Sequence, residues 1–288
     1  VQKAASTGSL HAKLAWYEDI LSAGFVPYVI TSERFIPYLD VSYFSRDMRY
    51  FLLERGEDRH FIEAYLLSNA LSFGDPKYQL PHWVLIDCGL MQTAVVGFMK
   101  PRTAFPDDLL TRYRSTTAFS LDELDHIPIS GQILSPTLAG ELVGISLFSL
   151  ARYFSAAGRI GLATKALALI VCKASSYDRF LGVAQYDNPS LAIHGRMSRE
   201  MQIYQPVLPL HPGADMTFIY AMKIDFDPRD LDAVIGKSEY DYLIGAGDLE
   251  AKLKLKTIID QGGKIAITPP FQIRNGAEIL IPIKELDR

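Results

Sequence analysis

Read for the spacing of apolar and polar residues, the chain alternates helical and extended stretches. Apolar positions at helical spacing predict a first helix over residues 9–23 that stops at Gly24, and residues 25–30 read as a strand. Thr31-Ser32-Glu33 opens a turn or a short helix before an aromatic-rich segment from Tyr38 to Phe51. Residues 57–73 predict a helix burying Phe61, Ala64, Tyr65 and either Leu67 or Leu71, terminated by Gly74-Asp75-Pro76. Residues 82–87 and 93–99 read as strands joined by a turn at Cys88-Gly89.

The segment Gly140-Glu141-Leu142-Val143-Gly144-Ile145-Ser146-Leu147 carries the strongest signal. By the two-residue period of a strand, Glu141, Val143, Ile145 and Leu147 share one face, so a carboxylate stands in line with three apolar side chains expected in a core. The stretch beyond Leu147 has alternative readings. Residues 147–176 form one buried helix with two tolerated glycines, each costing about 1 kcal/mol, or a loop containing Gly158-Arg159-Ile160-Gly161-Leu162-Ala163 precedes a shorter helix. A strand at 180–184 and a helix over 188–201 come next. Pro228-Arg229-Asp230 starts a short helix, residues 248–261 form another, and Gly262-Gly263 ends it. A final hairpin pairs residues 264–267 or 271–273 with 277–283 around Asn275-Gly276.

With 288 residues, 49% of them hydrophobic and 22% charged, the chain has the composition of a folded protein with a full core. The expected organisation is a main domain over 1–225 with an N-terminal helical extension, and a small lobe over 226–288. A net charge of −4 argues against a nucleic-acid binder held by phosphate contacts. The only cysteines, Cys88 and Cys172, lack the short spacings of a disulfide framework or thiolate metal site, which implies a reducing, cytoplasmic setting. The apolar runs at 142–151 and 166–172 are far shorter than a membrane span. No metal is expected, since the six histidines form no His-x-x-x-His or His-Glu-x-x-His pair. Ser120-Leu121-Asp122-Glu123 has capping-box spacing, so its acidic run reads as a helix start. Gly245-Ala246-Gly247 likewise reads as the approach to a helix capped near Asp248 and not as a dinucleotide fingerprint, because Glu250 stands where the third glycine belongs.

The order of these elements, with Glu-Leu opening the strand at 141 and Val96-Gly97 in the strand before it, resembles the GCN5-related N-acetyltransferase superfamily over residues 83–224. The resemblance implies an α/β fold, a central mixed sheet flanked by helices, here with a small C-terminal α+β extension. It implies acetyl-CoA or a longer acyl-CoA as donor, with the pyrophosphate held beyond Leu147 at the start of the following helix. Gly158, Gly161 and Ala163 occupy positions of the family's pyrophosphate loop, with Arg159 beside them, or Arg152 holds the place of the loop arginine. Departures are a glycine at the usual Arg/Gln position and a loop that comes late. Acyl-homoserine lactone and N-acyl amino acid synthases are similar folds with the same strand glutamate, but they carry an Arg shortly after it where this chain has Gly144 and Ile145.

Acyl transfer to an amine needs a base, donors that hold the thioester carbonyl, and an acid for the leaving thiolate. Glu141 is the base candidate, because a carboxylate among apolar side chains is a more competent proton acceptor near neutral pH; the alternative is a strand-holding pair with Arg or Lys. In the family the fourth helix carries a Tyr about seven residues after an Asn. Asn188 takes that Asn position, and His194, then Tyr204 and Tyr186, are candidates for the acid. Ser190, Arg196 and Ser198 are weaker candidates. Arg152, Arg159, Lys165 and Lys173 could neutralise a CoA phosphate or meet an acyl carrier protein, or form a solvated helix face. The expected acceptor is a small-molecule or peptide amine; the dense aromatics of 35–73 and the Pro-rich loop at 206–212 line its pocket, or the aromatics are ordinary core. A homodimer through the C-terminal edge hairpin is a further expectation. The competing functional class is a binding protein of this fold without catalysis.

Overall fold

The computed structural model describes residues 15–44, 47–73, 94–154, 159–188, 190–198, 200–208, 217–225, 239–268, 271–274 and 278–287. The expected strand at 82–87, its turn at Cys88-Gly89, Gly158, the helix opened by Pro228 and the turn Asn275-Gly276 lie outside these residues. The protein is a mixed α/β structure with a large sheet flanked by helices. It divides into two compact units, residues 1–135 with 146–175, and residues 136–145 with 176–288.

The first unit is built on strands β1 (Val26–Thr31), β2 (Arg49–Leu52), β3 (Ala94–Pro101) and β4 (His126–Pro136), in the order β4-β3-β1-β2. β1 runs antiparallel to β3 and parallel to β2. β1 and β3 are buried on both faces, which explains their unbroken apolar runs. Helices α1 (Ala15–Ser22), α2 (Arg59–Phe73) and α3 (Asp107–Thr116) belong to this unit. α1 ends as expected at Gly24, whose φ of 77° suits a residue without a Cβ.

Helix α2 buries Phe61, Ala64 and Tyr65, as its pattern predicts. One turn later, however, it buries Ser68 and Asn69 and leaves Leu67 and Leu71 half-buried. The reason is the polar surface they meet. Ser68 Oγ lies 2.6 Å from Tyr113 Oη, 2.7 Å from the carbonyl of Pro128 and 2.8 Å from that of Ala64. Asn69 Nδ2 donates to Ser146 Oγ at 3.0 Å. The capping-box segment forms a single 3-10 turn, Leu121–Glu123, with Ser120 accepting from Asp122 N–H. Its acids are engaged, Asp122 by Arg102 at 2.8 Å and Glu123 by His60 at 2.9 Å.

Strand β5 (Leu142–Ser149) passes from the second unit into the first at residues 145–146. A 3-10 turn at Ala151–Tyr153 follows it, and helix α4 (Ile160–Ala174) begins only at Ile160. The single helix over 147–176 is therefore replaced by the end of β5, a 3-10 turn and a shorter helix, and Leu150 N–H is held by the carbonyl of Ile129. α4 is buried almost all round, Lys165 included, so the solvated-face reading fails for that lysine.

The second unit contains β6 (Arg179–Gln185), α5 (Ser190–Arg196), β7 (Met201–Leu208), β8 (Thr217–Lys223), β9 (Tyr242–Gly245), α6 (Leu249–Asp260), β10 (Lys264–Ile267), β11 (Gln272–Arg274) and β12 (Glu278–Leu286). Its strands run β5-β6-β8-β7-β10-β12-β11, with β9 also paired to β12. β5 and β6 are parallel, and β6, β8, β7, β10 and β12 are successively antiparallel. The C-terminal segment does not build a sheet of its own, because β10 pairs with β7 and extends the same ladder. The expected boundary after Asp225 falls where residues 226–238 lie outside the description. Both readings of the final hairpin are present, since β12 pairs with β10 and with β11. α6 starts as predicted, with Asp248 Oδ1 accepting from Ala251 N–H at 3.0 Å. The helix expected over 188–201 is shorter because β7 takes over at Met201.

Candidate active site

Glu141 stands at the mouth of β5. The loop before it closes on itself, with Thr137 N–H donating to the carbonyl of Glu141 at 2.8 Å and Glu141 N–H to Thr137 Oγ1 at 3.2 Å. Gly140, at φ 77°, supplies the turn. The core face of β5 is that of Leu142, Gly144 and Phe148, not that of Glu141, Val143, Ile145 and Leu147; Ile145 is 36% exposed. An apolar run offers candidates on both faces, and Gly144 hides the buried phase because it has no side chain. Glu141 is thus half-buried rather than lodged among core residues, and Arg179 Nε approaches its carboxylate at 3.5 Å.

Ser146 interrupts β5 with a φ of 53°, a left-handed conformation in which a residue with a side chain is strained. The break coincides with the passage into the first unit, where Asn69 holds Ser146 and Ser72 Oγ donates to the carbonyl of Ser149 at 3.1 Å. Register pairs between β5 and β6 run over Leu142–Gly144 and Phe180–Gly182, while β6 continues to Gln185 along β8.

In the first unit the candidate anion site is the start of α4. Arg159 is its N-cap residue and is exposed, and no side-chain hydrogen bond caps the helix among the described residues. Ala163 N–H is already bonded to the carbonyl of Arg159 at 2.9 Å and the residue is fully buried, so the donors left for an anion are those of Ile160, Gly161 and Leu162. Arg152 Nη2 donates to the carbonyl of Leu71 at 2.9 Å, and its guanidinium lies 5.0 Å from the Tyr153 ring. Leu147 is half-buried on β5.

The remaining candidates are in the second unit. Asn188 Oδ1 accepts from Ser190 N–H at 2.8 Å, a local bond at the start of α5. His194 is 4% exposed and lies with its ring centroid 5.5 Å from that of Tyr220. Tyr186 donates to the carbonyl of Pro206 at 2.7 Å, and burial raises its phenol above the ordinary range, so it is a reluctant acid. Ser198 Oγ is spent on the carbonyl of Glu200 at 2.8 Å. Tyr204 is different: it is 39% exposed, and the Arg179 guanidinium sits 5.3 Å from its ring. Arg179 therefore links two of the three predicted catalytic residues, Glu141 and Tyr204.

Beside this cluster, the ends of β6, β8 and β7 frame a cavity of about 510 Å³, lined by Asp178, Arg179, Glu200, Gln202, Lys223 and Asp225 among others. Sequence reading passed over all six. Their one visible trace is charge at the strand ends, Asp178-Arg179 at the start of β6 and Lys223 to Asp225 at the close of β8, which is also how an exposed strand end reads.

Among the described residues no group of three or more His, Cys, Asp or Glu side chains is placed to hold a metal ion, and no helix is long and apolar enough to cross a membrane. No family model and no curated protein matches the chain. Among solved structures, the chain is similar to an acetyltransferase from Streptococcus agalactiae at 11% identity and a TM-score of 0.37, with 57% of this chain and 92% of that one covered.

Proposed function

We propose that the protein is an N-acyltransferase that moves an acyl group from acetyl-CoA or a longer acyl-CoA to an amine. The observation that carries this reading is the run β5–α4–β6. A strand headed by Glu141 breaks at Ser146, a helix follows whose start has no side-chain cap among the described residues, and a parallel strand brings Arg179 back to Glu141. Free N–H groups at a helix start favour a diphosphate, and Arg159 at that start and Arg152 in the preceding 3-10 turn add positive charge. An acyl carrier protein is the alternative donor, since it presents the same thioester arm.

In this reading Glu141 takes a proton from the acceptor ammonium or amine, directly or through a water. The nitrogen bonds to the acyl carbon, the carbon–sulfur bond breaks, and the thiolate leaves with a proton. Tyr204 is the preferred donor of that proton, because its hydroxyl is on an exposed side chain whereas His194 is buried against Tyr220. Arg179 orients both groups.

A second reading is favoured by the same ion pair: Glu141 serves only to hold Arg179, and the protein binds without catalysing. Glu141→Gln separates the two. A base contributes about 10²–10⁴-fold, so turnover should fall by that factor while affinity for the acyl donor stays within about twofold. Turnover that survives Glu141→Gln within threefold removes Glu141 as base.

A further inference from the structure

β6 and β8 pair antiparallel with Arg179 directly opposite Lys223. Cross-strand partners project from the same face, and like charges so placed repel. Arg179 has Glu141 at 3.5 Å to offset its charge. Lys223 has no such partner: among the described residues its ammonium closes no ion pair, nor do the carboxylates of Asp178, Glu200 and Asp225. Arg179, Lys223, Asp178, Glu200 and Asp225 front the same cavity, whose volume of about 510 Å³ lies in the range of small-molecule pockets. Two adjacent cations set against carboxylates with no counter-charge form a surface complementary to a ligand carrying both signs.

We propose that this cavity binds a zwitterionic small molecule of the free amino acid class, and that this molecule is the acyl acceptor. Its carboxylate bridges Arg179 and Lys223, relieving their mutual repulsion, and its ammonium faces Asp178, Glu200 and Asp225. Glu141, 3.5 Å from Arg179, is the carboxylate to which the ligand's amine passes its proton, through a water, in the acyltransferase reading. Gln202, beside Ala221 on the next row of the same face, offers a neutral amide to the rest of the ligand. The assignment of the ligand as acceptor rests on the acyltransferase reading; the binding site does not.

The test is calorimetric titration of the purified 288-residue protein with L-leucine and L-lysine as zwitterions, cadaverine as a cation without carboxylate, and hexanoate as an anion without ammonium. Each is run alone and with saturating CoA. At least one amino acid should bind saturably, more tightly than cadaverine or hexanoate by tenfold or more. Lys223→Met should weaken that binding at least tenfold with an unchanged thermal unfolding midpoint, and Lys223→Arg should restore it. Failure of both amino acids to bind in either condition, or equal binding of cadaverine, overturns the proposal. A separate acetyl-CoA titration keeps the two claims apart: donor binding without amino-acid binding defeats the amino-acid site and leaves the acyltransferase reading standing, and the reverse defeats the acyltransferase reading, and with it the acceptor assignment, but leaves the binding site.

Discussion

Gly182→Ala is the sharpest structural test, because Gly182 is where a buried tyrosine lies flat across a strand next to the candidate site. Gly182 and Tyr220 are cross-strand partners on β6 and β8. A Cβ at position 182 would stand 2.2 Å from Tyr220 Cζ and 2.3 Å from its hydroxyl, against ordinary contact from 3.4 Å, so the ring must retreat by 3.4 − 2.2 = 1.2 Å. Tyr220 is fully buried, with Phe218 at 6.0 Å and His194 at 5.5 Å between ring centroids, and has little room to move. Overpacking of this kind costs about 1–3 kcal/mol, and the lower chain entropy of alanine returns about 0.4–1 kcal/mol. A net loss of about 1–2 kcal/mol is expected in urea unfolding. Tyr220→Phe should not relieve it, since Cζ remains, whereas Tyr220→Leu should, so the cycle with leucine is non-additive. Gly247 is the control: nothing lies within 4 Å of a Cβ there, and Gly247→Ala should change stability by less than about 0.5 kcal/mol. A Gly182→Ala protein as stable as wild type, or simple additivity with Tyr220→Leu, would refute the packing argument.

Burial lowers the Lys165 pKa well below its ordinary 10.5, so between that lowered value and 10.5 folding sheds a proton that the unfolded chain keeps. The stability of the wild type should therefore rise as pH increases toward 10.5, and Lys165→Met should raise Tm at pH 7 by an increment that shrinks toward pH 10; an increment independent of pH would contradict the burial argument. Asp248→Ala removes the side-chain acceptor at the start of α6 and should cost about 1 kcal/mol in urea unfolding, with Asp248→Asn recovering most of it.

Local rules found the elements whose signals are local. The start of α6 at Asp248, the stop of α1 at Gly24 and the buried Phe61, Ala64 and Tyr65 of α2 follow from caps and periodicity. Tertiary partners decided the rest. Ser68 and Asn69 are buried because Tyr113, Pro128 and Ser146 meet them, which no window around residue 68 contains. The phase of β5 was misread because its apolar run serves either face and Gly144 leaves no mark on the buried one. At the site, Glu141 was visible as a charge at the head of an apolar strand. Arg179, Lys223 and Glu200 were not, because charges at strand ends are common and only the pairing of β6 with β8 makes neighbours of residues 179 and 223.

The central claim is that the run β5–α4–β6 serves an acyl thioester. Its most direct measurement is calorimetric titration of the purified protein with acetyl-CoA, a long-chain acyl-CoA and free CoA, alongside an Arg159→Glu variant. Saturable binding of at least one of the three, weakened tenfold or more by reversing the charge at the start of α4, is the expected result. Binding of none of the three, or binding indifferent to Arg159→Glu, would contradict the account.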